Sequence, residues 1–390
     1  MIKKILIAAL LFSSVAFALA EHQLLIPSRA DDFLRHFGKS SLLARDGDSA
    51  IVQVPESAIE DWSEFVHTRF GLCGGFFDVS DVNASKHPMA VLQKFNSTTK
   101  MGPYTVPVEV VFNEKLASLI GNTNSDFIWS FLKELTSFND RSATTDLGTK
   151  ASQFIAQKAT QIGASVPGFQ VRTVATRSYP KQPSVVATLL GTKPELPHVV
   201  IGGHMDTLSN DKPGADDDGT GSATVMEALR NVVASGARFE RTIDFIWYAA
   251  EERGLVGSTN VVRNFKENNT SVAAAIQFDM TGWVNPNGIY EIYLTDDHID
   301  VGLNQTLEAI IKTYLPTVTI GHAECGYACS DHASWTAAQV PSVYPFESHH
   351  EDYNRHIHTS LDKMADLSLE HMTKFAKIGV AFLGQIAILQ

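Results

Sequence analysis

Two adjacent carboxylates, Glu251 and Glu252, close an apolar run from Ile243 to Ala250 and are followed by Arg253-Gly254. Neighbouring side chains on an extended chain face opposite ways, so at a strand end such a pair can serve two targets, a metal ion and a substrate. Upstream, Val199-Val-Ile-Gly-Gly-His-Met-Asp206 ends a second apolar run in a histidine with an acid two positions on. That spacing reads as a zinc ligand, His204, with Asp206 as acceptor for its other ring N–H. Pro213-Gly-Ala-Asp-Asp-Asp-Gly-Thr-Gly221 then sets three acids between glycines at an expected helix start. Like charges so close repel unless a cation sits among them. Asp218 and Asp216 suit capping of that helix, which leaves Asp217 for a metal. A third apolar run ends in Asp279, and Tyr353-Asn-Arg-His-Ile-His-Thr359 offers two histidines. Two His, a bridging Asp, a Glu and a further Asp can hold two metal ions, and imidazole with carboxylate suits zinc or its neighbours rather than calcium.

These residues lie in seven strings that occur in one order. They are Gly203-His-Met-Asp206, Gly214-Ala-Asp-Asp-Asp218, Tyr248-Ala-Ala-Glu-Glu252, Gln277-Phe-Asp-Met280, Cys325-Gly-Tyr-Ala-Cys-Ser-Asp-His-Ala-Ser-Trp335, Pro345-Phe-Glu-Ser348 and Ile357-His-Thr359. From about Asn122 to the C-terminus, the chain resembles the secreted bacterial leucyl aminopeptidases with two co-catalytic zincs. The resemblance implies that Asp217 bridges the zincs, that His204 and Asp279 complete one site, and that Glu252 and His358 complete the other. It selects His358 within Arg355-His-Ile-His358 and leaves His356 at a non-ligand position. It implies Glu251 as the general base that takes a proton from a shared water and returns it to the leaving amine. Asp206 then supports His204, and Tyr327 donates to the developing oxyanion. The substrate is a peptide with a free N-terminus, whose amino group sits against a zinc and neighbouring carboxylates.

Met280, Leu294, Tyr327, Tyr344, Phe346, Tyr353 and Ile357 fall where the family builds an apolar pocket for the terminal side chain. His350 stands where that pattern has an aromatic, and Glu351 and Asp352 follow it. This departure leaves room for larger aromatic or even basic side chains, and the expected N-terminal residue is large and apolar or aromatic. Of three cysteines, Cys325 and Cys329 form a close pair and Cys73 stands apart. In an oxidising compartment the pair suits a small-loop disulfide, with a thiolate metal pair as the rival reading. The resemblance favours the disulfide.

The elements that must position these residues read as an α/β fold. Apolar runs separated by helical spacing imply a mostly parallel or mixed sheet sandwiched by helices. The resemblance implies that this sheet is of the zinc-exopeptidase type and is preceded by a small α+β prosegment. Helices are expected over 125–137, 149–162, 220–235, 301–314 and 367–389, and strands over 169–176, 184–190, 198–202, 242–250, 273–278, 289–295 and 342–346. His204, Glu251, Glu252 and Asp279 then stand just past strand ends, where such sheets bind ligands.

Residues 1–20 carry Lys3 and Lys4, an apolar stretch from Ile5 to Leu19 and a closing Ala18-Leu-Ala20. This is the pattern of a secretory signal peptide cleaved before Glu21, and its apolar part is shorter than the ~20 residues of a membrane span. Residues 21–110 show strand-like alternation over Ala50–Pro55 and helical spacing over Glu56–Phe70, without a metal-type constellation. Similar exopeptidases are made with an N-terminal propeptide, so the resemblance implies a propeptide that assists folding and covers the site's mouth until a processing protease cuts within Phe95–Pro107, with a permanent accessory domain as the rival reading. Residues 111–390 are expected to form the di-zinc peptidase domain. The mature protein is expected to be a monomer without a membrane span, exported through the periplasm to the extracellular space.

A net charge of −12 and the lack of a basic run speak against nucleic acid as a partner. The chain has no Gly-x-Ser-x-Gly elbow for serine catalysis. Another exopeptidase, a dipeptidase or a glutaminyl cyclase on the same fold remains open, as does a non-catalytic binding protein. The full ligand set with Glu251 weighs against the single-zinc and non-catalytic versions. His67, His298, His322, His332, His349 and His371 are expected to be structural.

Overall fold

In the computed structural model, residues 21–26, 29–36, 41–70, 76–80, 86–98, 109–176 and 181–390 are described. The expected signal segment 1–20, Cys73 and positions 99–107 of the expected processing region lie outside the described residues. In chain order the N-terminal elements are β1 (Glu21–Ile26), α1 (Ala30–His36), β2 (Ser41–Asp46), β3 (Ser49–Pro55), α2 (Ser57–Phe70), β4 (Phe77–Asp78) and α3 (Pro88–Thr98). Then come α4 (Glu114–Gly121), α5 (Ser125–Leu135), α6 (Asp146–Gly163), β5 (Gln170–Val174), β6 (Ser184–Leu189) and β7 (His198–His204). They are followed by α7 (Gly221–Ala234), β8 (Ile243–Tyr248), α8 (Val256–Glu267), β9 (Val272–Gln277), β10 (Ile292–Thr295) and α9 (Val301–Tyr314). The last are β11 (Ile320–Ala323), α10 (His332–Ala337), β12 (Ser342–Val343), β13 (Pro345–Phe346) and α11 (Leu369–Ile386).

The apolar runs form a six-stranded mixed sheet in the order β12-β9-β7-β8-β6-β5. Its centre is parallel, with β7 flanked by β8 and β9, and its β6–β5 edge is antiparallel. Alternate residues serve opposite faces, as strand geometry requires. Val199 and Ile201 of β7, Phe245 of β8 and Ile276 of β9 join the main core, to which α5, α7, α9 and α11 contribute. Val200, Ile246 and Tyr248 pack on the other face with Val261 and Phe265 of α8 and Trp335 of α10. Apolar runs without polar alternation are what a sheet covered on both faces demands, and the expected α/β sandwich is borne out.

The expected strand 342–346 is two short strands. β12 extends the main sheet beside β9, whereas β13 pairs antiparallel with β10 in a separate three-stranded sheet. The break falls at Tyr344 before Pro345, whose ring removes a ladder donor. The strand expected from 289 begins only at Ile292, because Gly288 N–H closes a turn on the Asn285 carbonyl. Helices α4, α8 and α10 carry no reading in the sequence. For α8 the reason is local: its N-cap is Leu255 in left-handed backbone, with no side-chain capping bond to mark the start.

Glu21 to Thr98 supply an antiparallel sheet in the order β2-β3-β1-β4. One face has its own core, including Leu24, Ile26, Phe33, Val52, Val54, Ile59 and Trp62. The other face puts Leu25, Ile51, Phe77 and Leu92 into one apolar cluster with Leu255, Ala328 and Ala333 of the α/β unit. The Asp78 N–H also donates to the Gly254 carbonyl at 3.0 Å. Gly254 has a φ of 86°, and the Phe76 ring occupies the space a Cβ would take, so glycine fits there on two counts.

Candidate active site

Three adjacent parallel strands end at one place. β7 ends in His204, β8 is followed by Glu251 and Glu252, and β9 by Asp279. Asp217 comes from the turn Ala215–Thr220 that leads into α7, and His358 from the loop before α11. Ala250, Met280 and His358 sit at φ of 52°, 62° and 58°. Left-handed backbone at non-glycine residues marks sharp turns held by their surroundings, and here each re-aims a chain end toward the site.

The predicted ligands converge in two groups that share Asp217. His204 Nε2 lies 3.1 Å from Asp217 Oδ1 and 3.5 Å from Asp279 Oδ1. His358 Nε2 lies 2.9 Å from Asp217 Oδ2 and 2.9 Å from Glu252 Oε2. All five residues are buried, none above 8% exposed. His356 is exposed and pairs with Asp366 at 2.8 Å, away from the group.

Asp206, expected to orient His204, stands beside both the imidazole and the strand end that carries the glutamates. Its Oδ1 lies 3.4 Å from His204 Nδ1 and accepts the Glu251 N–H at 3.0 Å, while Oδ2 accepts the Glu252 N–H at 3.3 Å. Glu251 is itself 3% exposed, and burial pushes its carboxyl well above the usual range, against the attraction of His204. Burial also opposes ionisation of Asp217, yet the two imidazoles at its oxygens outweigh it and hold that carboxyl well below its ordinary value.

The neighbouring acids do different work. Asp218 accepts the Gly221 N–H at 2.8 Å, the helix-start role expected of it, and also the His204 and Met280 N–H groups at 3.0 and 3.1 Å. With its lone pairs so used, Asp218 ties the ends of β7 and β9 together. Asp216, expected to cap the same helix, instead accepts from Asn354 at 2.8 Å and Gly282 at 3.3 Å. Its buried carboxyl, raised to about 6 chiefly by desolvation, faces Glu347.

Sequence reasoning missed four supports. Asp362 accepts the N–H groups of Asp216 and Asp217 at 2.8 and 3.1 Å, and Ser330 donates to Asp279 Oδ2 at 2.5 Å. Glu347 accepts the Gly282 and Trp283 N–H groups at 2.8 and 2.7 Å, and Arg141 binds backbone carbonyls beneath the site. Ser330 and Glu347 lie within the strings that carry the resemblance, so position could have found them. Arg141 and Asp362 have no local signal.

Beside the acids, Met280, Tyr327, Tyr344, Phe346, Tyr353, Ile357, Cys325 and Cys329 form one apolar cluster. Cys325 and Cys329 lie at disulfide-bonding distance, and Asp297 holds their loop by accepting the Cys325 and Gly326 N–H groups. His350 stacks on Phe346 with ring centres 4.4 Å apart and pairs with Thr295 Oγ1 at 3.0 Å. Burial lowers its pKa to about 3, so this wall is uncharged near neutral pH. The Tyr344 hydroxyl donates to the Asp279 carbonyl at 2.9 Å. Leu294 is a correction: it is fully buried in the main core, on the inward face of β10, rather than in the pocket cluster.

The donor set fits a metal. Asp217 Oδ2 and both oxygens of Glu252 are buried without a well-formed hydrogen bond, although His358 Nε2 approaches Asp217 and Glu252 closely. Buried anionic oxygens crowded around an imidazole nitrogen without donor geometry suit a shared cation.

Residues 184–383 match the model of peptidase family M28. The chain belongs to that family. A probable leucine aminopeptidase of Arthroderma otae is 31% identical over 320 residues, covering 78% of this chain and 85% of that one. Leucine aminopeptidase 1 of Aspergillus fumigatus is 33% identical over 302 residues, covering 72% and 76%. The crystal structure of the Legionella pneumophila LapA aminopeptidase is similar with a TM-score of 0.86 at 36% identity, covering 95% of this chain and 99% of that chain. The resemblance to leucyl aminopeptidases is therefore borne out, and with it the expectation of an enzyme. This M28 chain is a metal-dependent hydrolase of the aminopeptidase type.

Proposed function

We propose that this M28 enzyme binds two zinc ions and removes the N-terminal residue from peptides, with a preference for large apolar or aromatic side chains. His204 and Asp279 hold one ion, Glu252 and His358 hold the other, and Asp217 is shared. The observation that carries this reading is that the two oxygens of Asp217 face different imidazoles, His204 at 3.1 Å and His358 at 2.9 Å. When bound, such a pair polarises the scissile carbonyl and lowers the pKa of a water to near neutrality.

The chain's own residues supply the rest. Glu251 follows the ligand strand end without being part of either ligand group, and burial raises its carboxyl above the ordinary range, which strengthens it as a base. It takes the proton of the attacking water on a carboxylate oxygen and gives it to the leaving amine. The free α-amino group sits against one metal position and the neighbouring carboxylates, which selects an exposed N-terminus and makes the enzyme an exopeptidase. Tyr327 donates to the oxyanion, and the cluster of Met280, Tyr344, Phe346, Tyr353 and Ile357, walled by neutral His350, takes the terminal side chain.

Residues 1–20 direct export in this reading, and 21–110 act as a propeptide. The support is the apolar docking of Phe77 and Leu92 against Leu255, Ala328 and Ala333, next to Glu252 and the Tyr327 loop. The test of the function is metal analysis of the purified chain with turnover of leucine p-nitroanilide and its N-acetyl analogue. Two zincs per chain and turnover of the free amine alone are expected. Equal turnover of the blocked substrate would overturn the aminopeptidase assignment.

A further inference from the structure

Arg141 lies between α5 and α6, at 0% exposure, beneath the two segments that present His204 and Asp217. Its Nε donates to the Met205 carbonyl at 2.7 Å and its Nη2 to the Gly214 carbonyl at 2.8 Å. Nη1 donates to the Pro213 carbonyl, and the Arg141 backbone N–H donates to Thr207 Oγ at 2.9 Å. Among the described residues no carboxylate forms an ion pair with it. A guanidinium taken out of water without a paired anion is costly, so this placement needs compensation. The compensation is three carbonyls from two chain segments, together with the field of Asp362, Asp218, Asp206 and Asp217. Met205 follows His204 directly, and Pro213-Gly214 opens the turn that carries Asp217. A planar guanidinium can reach carbonyls in several fixed directions at once, which an ammonium cannot.

We propose that Arg141 is a positioning residue of the metal centre. It locks the end of β7 to the turn before Asp217, so that His204 and Asp217 stay close enough to share an ion. The inference rests on the zinc reading above and adds a residue outside the ligand set and the pocket.

The test compares Arg141→Lys and Arg141→Ala with Gln182→Ala. Gln182 is buried and donates to the Arg141 and Gly148 carbonyls at 3.2 and 2.9 Å, so it supports the same loop without touching the site. Zinc dissociation constants are measured by chelator competition, below each variant's melting temperature, alongside kcat and KM. Both Arg141 variants are expected to bind zinc about 10- to 100-fold more weakly, as loss of a support behind the ligands does elsewhere. Their loss of turnover should fall on kcat rather than KM, and methylguanidinium should restore part of the zinc affinity of Arg141→Ala. Gln182→Ala should lower the melting temperature yet keep the parent's zinc affinity. Unchanged zinc affinity in Arg141→Lys, or an equal loss in Gln182→Ala, overturns the proposal. Should Arg141→Ala not fold, Arg141→Lys carries the test, since it keeps the charge and the stem. A parent chain that binds no zinc would count against the metal reading itself.

Discussion

The carboxylate of Asp206 accepts the backbone N–H of Glu251 at 3.0 Å. The same oxygen lies 3.4 Å from His204 Nδ1, so one side chain meets both the imidazole proposed above as a ligand and the backbone of the proposed base. Asp206→Asn replaces one acceptor oxygen by an NH2 group, which cannot face an N–H donor. It is expected to weaken zinc binding and lower kcat/KM, each by about 10- to 100-fold. Parallel chelator titration and kinetics check this, and parent-like values in both would remove Asp206 from the support of the site.

Glu251→Gln keeps the shape of the side chain and leaves both ligand groups intact. It is expected to retain its zinc while losing about a hundredfold to ten-thousandfold in kcat. A variant with full zinc and undiminished turnover would show that the proton is moved by another group.

His350 stacks on Phe346, and aromatic pairs contribute ~0.5–1.5 kcal/mol beyond burial. His350→Ala should therefore lower kcat/KM for phenylalanine p-nitroanilide more than for the leucine substrate, by about threefold to tenfold. Equal losses on the two anilides would place His350 outside the pocket.

His332 and His371 are buried, 1% and 3% exposed, and desolvation lowers both, His371 to about 4 and His332 well below its usual value. Their unfolded counterparts titrate near 6.5. Above that pH both states are neutral and the stability is fully present. As pH falls from about 6.5 toward 4 the unfolded chain binds protons that the folded chain does not, so stability falls by up to about 1.4 kcal/mol per pH unit for each histidine. Melting curves from pH 7.5 to 4.5 should show a decline that is shallower in His371→Gln. An identical slope in that variant would contradict the assignment.

Phe77 joins the N-terminal sheet to Leu255, Ala328 and Ala333. If that unit covers the site, Phe77→Asp should raise the activity of the unprocessed chain and leave the processed enzyme unchanged. Unprocessed and processed parent with equal activity on leucine p-nitroanilide would rule the cover out.

The legible part of this protein was the part whose chemistry follows a strand. His204, Glu251, Glu252 and Asp279 each close an apolar run, so the sequence predicts both their element and their common place at the sheet's edge. Asp217 was separable from its neighbours only because helix capping accounted for them, an account that holds for Asp218 and fails for Asp216. Arg141 and Asp362 were illegible because they act on backbone groups 64 to 146 positions away, where side-chain pattern carries no information. Leu294 was misplaced because position in a family pattern says which strand a residue occupies but not which of its faces meets the core. Helix α8 was missed because its first turn lacks the side-chain cap by which helix starts are recognised.

Tyr344 spans two tasks, with its ring in the side-chain cluster and its hydroxyl on the Asp279 carbonyl. Trimming that ring to admit a bulkier side chain would therefore also strip the Asp279 carbonyl of its hydroxyl partner, so a change of pocket is felt by the segment that carries Asp279.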